Sequence, residues 1–249
     1  MPQKGLRSQR ADKPAVERVA VRDRHPFADR QEAGQALART LQSLRLDKPL
    51  VLALPRGGVP VAVEVAKALS APLDLLLVRK IGAPGQPELA VGAVAGLGAS
   101  RQTLLDAGLM AATGAEPAHM ERETARALAE MERRRQRYLK GRATAAVGGR
   151  TVIVVDDGIA TGTTVRAALK ALRALKPACV VLAVPVAPAS ALPALAPLVD
   201  TLVCLWTPEP FYAVGAHYLD FRQVSDEEVV AALGSALGPV QAAAIPDQT

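Results

Sequence analysis

Apolar runs alternate along the chain with segments whose apolar residues recur every three to four positions, a pattern that predicts an α/β protein. From Asp29, with Glu32 three residues on as in a capping box, Ala33, Ala36, Leu37, Leu41 and Leu44 share one helical face. Residues 49–54 read as a short apolar strand, followed by a helix from Pro60 to about Leu69. Residues 73–78 form the next strand, ending at Arg79-Lys80; 81–87 read as a Gly/Pro loop and 88–95 as a returning strand. Between 96 and 149 the pattern is less regular, with an edge strand near 102–105 and a long helix over about 116–140. Strands are expected at 152–155, 178–186 and 201–206, and helices from Val165 to about Leu175, over 190–196 and over 225–237. Strands apolar along their whole length are covered on both faces, so the expected fold is a mainly parallel twisted sheet with helices on both sides.

Half of the residues are hydrophobic, ample for a sizeable core in 249 residues. The net charge of +6 raises the question of nucleic acid, but much of the excess lies in the N-terminal segment and around 133–142. Neither region is interleaved with aromatics, and three Phe, three Tyr and one Trp offer little for base stacking, so a phosphorylated small substrate is favoured over nucleic acid. Cys179 and Cys204 sit singly in apolar runs without C-x-x-C spacing, which suits free thiols in a reducing cytoplasm. The uncharged stretch 177–199 is long enough to suggest a membrane span, but five prolines break it into a strand and a short helix. Residues 1–22 lack periodicity and read as a basic tail, 23–240 as the folded domain and 241–249 as a second tail.

The chemistry concentrates at 152–164, where Val152-Ile153-Val154-Val155 ends in Asp156-Asp157 and a loop of Gly, Ala and Thr leads into a helix. The start of such a helix carries unpaired N–H groups and a positive dipole end, so with the Thr hydroxyls it forms a phosphate cradle. Two acids beside it would repel a phosphate unless they hold Mg²⁺ or bond neutral hydroxyls such as those of a ribose. The loop lacks the Lys of a P-loop, and its Gly158-x-x-x-Gly162 spacing is not that of a dinucleotide fold. Upstream, Pro55-Arg56-Gly57-Gly58 is either a structural tight turn or an anion loop, its glycines admitting close backbone approach and Arg56 a fork of donors.

An apolar strand, two acids and a Gly/Thr loop resemble the PRPP (phosphoribosyl pyrophosphate) signature of the type I phosphoribosyltransferases. Motif order matches over about 29–205, including an uncharacterised bacterial branch with Leu54-Pro55-Arg56-Gly57-Gly58 and Ala213-Val214-Gly215 to Tyr218. The resemblance implies a type I core with a helical insertion at 96–149 and a C-terminal hood at 206–222. It implies that Asp156 and Asp157 hold the ribose hydroxyls, directly or through Mg²⁺, and that Gly158, Ile159, Ala160, Thr161, Gly162 and Thr163 take the 5′-phosphate. Arg56, Gly57 and Gly58, with Arg79 or Lys80, would take the pyrophosphate, and Phe211 or Tyr212 would stack on an acceptor base. In that family the loop at 81–87 closes over the diphosphate, yet here it carries no Lys or Arg. The implied reaction transfers ribose 5-phosphate from PRPP to a nitrogenous acceptor, and a homodimer is the default assembly. A module of the same fold that binds PRPP or a nucleotide without turnover is the alternative.

Overall fold

The computed structural model describes residues 26–98 and 100–237; the expected tails lie outside them. The chain runs α1 (Arg30–Ser43), β1 (Pro49–Ala53), α2 (Gly58–Leu69), β2 (Leu73–Leu75), β3 (Leu77–Ala83), β4 (Gln86–Leu97), β5 (Ser100–Leu105), α3 (Ala107–Thr113), α4 (Pro117–Leu139), β6 (Thr151–Val155), α5 (Thr163–Arg173), β7 (Cys179–Val186), α6 (Leu192–Leu195), β8 (Thr201–Trp206) and α7 (Asp226–Leu237). Five strands form a parallel sheet in the order β2-β1-β6-β7-β8, and β3-β4-β5 form a separate antiparallel sheet.

The period-2 geometry of strands sends alternate residues of the parallel sheet into two cores. Val51, Ala53, Ile153, Val155 and Val181 pack with apolar residues of α1, α2, α4 and α7. Leu50, Leu52, Val152, Val154 and Leu182 pack with those of α5 and α6. Helices therefore cover both faces, as the apolar strands required. Among the described residues no helix is long and apolar enough to cross a membrane.

Chain order along the sheet reverses direction between β1 and β6. The first crossover, through α2, runs to β2 on one side, whereas β6, β7 and β8 continue on the other. In open parallel sheets such a switch point leaves a crevice beyond the carboxyl ends of the two strands. The Ala53↔Val155 pairing brings those ends level, with Pro55–Gly58 leaving one and Asp156–Gly162 the other.

Two local expectations are corrected. The stretch 73–78 is not one strand: β2 ends at Leu75, the Leu76 amide donates to the Ala53 carbonyl, and β3 begins in the other sheet. Leu73 and Leu75 to Val78, interrupted only by Asp74, do not mark that change of partner. Arg79 and Lys80 thus lie within an antiparallel ladder, opposite Val94 and Ala93, rather than at the end of a parallel strand. Nor is 81–87 an open loop, because β3 continues to Ala83 and a two-residue turn at Pro84-Gly85 leads straight into β4. A register shift at Gly82 makes this possible, since a Cβ there would lie 2.7 Å from the Pro87 backbone. His119 of α4 bonds the Gly82 carbonyl at 3.0 Å.

The helix-start motifs form as the sequence implies. The Asp29 carboxylate accepts from the Glu32 amide at 2.9 Å, and Ser225 and Glu228 bond each other's amides at 3.1 and 2.8 Å. Ser225→Ala is expected to lower unfolding free energy by about 1 kcal/mol in urea denaturation, the usual worth of a cap.

Candidate functional site

Buried β1 and β6 position two loops against each other at the switch point. The Pro55–Arg56 peptide, where the chain leaves β1, is cis. The glycines of this first loop are needed for closeness, not for dihedral freedom: Gly57 has ordinary φ −59° and ψ −35°. A Cβ on Gly57 would lie 2.0 Å from Asp157 Oδ2, and one on Gly58 2.7 Å from the Val155 carbonyl oxygen. The two short motifs, about a hundred residues apart, therefore form one structure.

Asp156 and Asp157 stand at the floor of the crevice, partly accessible, with the Asp157 amide donating to Asp156 Oδ1 at 2.9 Å. Desolvation and the neighbouring Asp157 charge push the Asp156 carboxyl well above the ordinary carboxylate range. Desolvation also raises Asp157, against the opposing pull of Arg30. The Arg30 Nε lies 2.8 Å from Asp157 Oδ2, its Nη1 donates to the Arg222 carbonyl, and its guanidinium stacks 3.9 Å over the Phe221 ring. The Tyr218 hydroxyl donates to the Asp157 carbonyl at 2.5 Å, and burial drives its own pKa up. Arg30 was not legible as a site residue, because it approaches Asp157 only through the fold, across 127 positions, and the sequence marks Tyr218 as part of a motif without linking it to Asp157.

The Gly/Thr loop has the expected shape. Gly162 takes φ +74° at the N-terminal end of α5, a conformation suited to glycine, and the first amides of α5 lack helical acceptors. Thr161 and Thr163 hydroxyls approach within 3.3 Å. Gly158 admits the Val214 side chain, whose methyl would lie 2.4 Å from an added Cβ. One position differs in role: the Ile159 amide donates to the Val186 carbonyl at 2.9 Å and its side chain is buried, so this residue anchors the loop rather than offering a donor.

Arg56 turns toward α7, its guanidinium 3.6 Å from Asp226. Asp226 also accepts from the Tyr138 hydroxyl at 2.6 Å and meets Arg137 at 3.0 Å; the Tyr138 hydroxyl bond, foremost, lowers its pKa. Helix α4 thus reaches the crevice through Tyr138 and Arg137 by way of Asp226. On the same helix, Arg133 and Arg134 are engaged by Glu130.

A cleft of about 450 Å³ is lined by Arg30, Arg56, Gly57, Asp157, Val214 and Phe221, among others, and does not extend to Asp156 or the Gly/Thr loop. Phe211 and Tyr212 are not among its lining residues. The Phe211 ring is taken up by His217 at 5.2 Å, and Tyr212 is 83 % exposed. Within the aromatic segment it is Val214 and Phe221 that share the cleft with Asp157. His217 is buried against Trp206, without a partner for Nε2 among the described residues. Lys80 lies in a different cleft, bordered by Thr163, and Arg79 lines neither. Among the described residues no group of three or more His, Cys, Asp or Glu is arranged to hold a metal ion.

Residues 27–202 match the family model described as "Phosphoribosyl transferase domain". Two curated Mycobacterium tuberculosis proteins, from strains CDC 1551 and H37Rv and named provisionally as phosphoribosyl transferases, are each 46% identical over 226 residues. The match covers 88% of this chain, and the chain spans about half the length of those relatives, 50%. The crystal structure of TT1426 from Thermus thermophilus is similar with a TM-score of 0.74 and 45% identity, over 86% of this chain and 100% of that one.

Proposed function

The chain belongs to the phosphoribosyltransferase family, and from that premise we propose that it binds PRPP with Mg²⁺ at the β1–β6 crevice and transfers ribose 5-phosphate to a nitrogenous acceptor, releasing pyrophosphate. The observation that carries the reading is the contact of the two loops, in which Gly57 abuts the Asp157 carboxylate. A ribose hydroxyl on the acids has an anion loop on either side, as a sugar with phosphates at both ends requires.

In this reading Asp156 and Asp157 accept from the ribose hydroxyls. The amides and hydroxyls of the Gly158–Thr163 loop, apart from the occupied Ile159 amide, take the 5′-phosphate. Arg56 with the Gly57-Gly58 backbone takes the pyrophosphate, and Arg79 or Lys80 adds charge from the antiparallel sheet. Leaving-group departure puts positive charge on the sugar and negative charge on the diphosphate, so carboxylates at the sugar and cations at the diphosphate lower the barrier. The donor set suits Mg²⁺ only as a shared ion, because two acids without a third ligand leave most positions to diphosphate oxygens and water. Bound so, the metal would neutralise the leaving group.

Incubation with PRPP, Mg²⁺ and a panel of bases, with pyrophosphate release as the readout, tests the reaction. Tight PRPP binding without release for any acceptor would instead support the non-catalytic PRPP- or nucleotide-binding module. The absence of Lys or Arg over 81–87 favours that second reading. Arg56→Ala is expected to weaken pyrophosphate binding roughly fivefold to tenfold, one charge-assisted contact, measured by calorimetric titration.

A further inference from the structure

Arg30 is the first residue of α1, directly after the Asp29 cap. A cation in the first turn of a helix opposes the helix dipole, where an acid would favour it, so the helix itself does not call for Arg30. Its side chain is instead fixed at three points. Nε lies 2.8 Å from Asp157 Oδ2, Nη1 donates to the Arg222 carbonyl at 2.9 Å, and the guanidinium carbon stands 3.9 Å over the Phe221 ring. A planar fork meets two acceptors and a ring face at once, which the point charge of a lysine does not.

The Arg30 and Asp157 side chains are only 11 % and 14 % exposed. Withdrawing both charges from water offsets much of their attraction, so the pair adds little to stability and supplies fixed geometry instead. The segments that carry Arg30 and Tyr218 are themselves joined. The Phe27 amide donates to the His217 carbonyl at 3.0 Å, the Leu219 amide to the Phe27 carbonyl at 2.8 Å and the Asp220 amide to the Ala28 carbonyl at 2.9 Å. From this strap Tyr218 holds the Asp157 main-chain carbonyl and Arg30 its carboxylate. The Phe221 ring, which also meets Tyr218 at 4.9 Å, serves as the platform for the guanidinium. Gly57 closes in on the same oxygen, since a Cβ there would lie 2.0 Å from Asp157 Oδ2. Arg56, the other arginine of this cleft, is paired with Asp226.

We propose that Arg30 is a positioning residue for the acid pair: by taking Asp157 Oδ2 it fixes the carboxylate so that Oδ1 is presented to a ribose hydroxyl. The role rests on the PRPP reading. Arg30 contributes no bond to the ligand and acts through Asp157 alone. A carboxylate free to rotate would have to be ordered by the ligand, at a cost in affinity, whereas one held in place is ready to accept. Adjacent acids also repel each other, and a cation on Oδ2 offsets that repulsion.

The test is a double-mutant cycle, read by calorimetric titration of the full chain with PRPP and Mg²⁺ and, separately, with pyrophosphate. Arg30→Gln is expected to weaken PRPP about tenfold, the loss of one charge-assisted contact, and Arg30→Lys, which keeps the charge without the fork, about threefold. In an Asp157→Asn background each is expected to cost less than about twofold, because the group through which Arg30 acts is gone. Pyrophosphate, assigned to Arg56, Gly57 and Gly58, is expected to stay within about twofold in every variant. Equal losses in the two backgrounds, or parallel losses for PRPP and pyrophosphate, would show that Arg30 merely supports the crevice and would overturn the proposal. So would unchanged PRPP affinity in Arg30→Gln. If that variant does not fold, Arg30→Lys carries the same cycle with the same criteria. A wild-type chain that binds no PRPP would sink the PRPP reading and this role together, whereas the other adverse outcomes overturn the role and leave that reading standing.

Discussion

Exchanging Asp156 and Asp157 together for asparagine is expected to lower PRPP affinity by roughly 100-fold or more, since each hydrogen bond from a ligand hydroxyl to a charged acceptor contributes about 1.5–3 kcal/mol. Isothermal titration with PRPP and Mg²⁺ measures it, and an unchanged affinity would sink both the transferase and the binding-module readings. Fold stability should respond in the opposite sense. Both carboxyls are raised above their ordinary 3.8, chiefly by desolvation. The native state therefore holds protons to higher pH than the unfolded chain. The stability these groups contribute is fully present below that ordinary value and declines as pH rises through the raised folded values. Asparagine cannot ionise and so escapes the decline. Calorimetric Tm of the double variant minus that of the wild type, without ligand, is expected to grow more positive from pH 4 to pH 8. A difference that stays flat or falls would show that the carboxylates are not held against a desolvation cost.

Gly57→Ala is expected to reduce kcat/KM for pyrophosphate release roughly 10- to 100-fold, the effect of displacing a positioning group by about an ångström. The backbone at Gly57 is one an alanine adopts freely, so dihedral strain is not the cause. The cause is the 2.0 Å approach of the added Cβ to Asp157 Oδ2, which forces either the loop away from β6 or the carboxylate away from Arg30. A stability loss of roughly 1–3 kcal/mol should accompany it, as for overpacking elsewhere. Gly148→Ala serves as the control, because a Cβ there meets nothing within 4 Å, and should lie within about 0.5 kcal/mol of wild type. Equal behaviour of the two variants in the turnover assay would mean that loop contact does not matter.

The fold class was legible because strands covered on both faces must be apolar at every position, and 49–54, 152–155 and 178–186 are. The helix starts at Asp29 and Ser225 were legible from capping residues that act within four positions. Where the signal is local and periodic, sequence suffices. It failed at 73–78, where the unbroken apolar residues from Leu75 to Val78 do not mark the point at which a strand leaves one sheet for another, and at 81–87, where Gly and Pro build a tight hairpin turn and a bulge as readily as a loop.

The site divides along the same line. Its parts were readable one by one, since a Gly/Thr loop after two acids and a Pro-Arg-Gly-Gly turn each carry their chemistry within a few residues. Their assembly was not. That Gly57 serves Asp157, that Arg30 clamps the same carboxylate, that Asp226 ties α4 to Arg56, and that Val214 and Phe221 rather than Phe211 and Tyr212 line the cleft of Asp157 are all facts of parallel pairing and packing. The sequence by itself determined the layers and the family, because those depend on hydrophobic period and on motifs of residues adjacent along the chain. Only the tertiary structure decided which residues share the crevice, because those contacts join segments a hundred residues apart and exist only once β1 and β6 lie side by side.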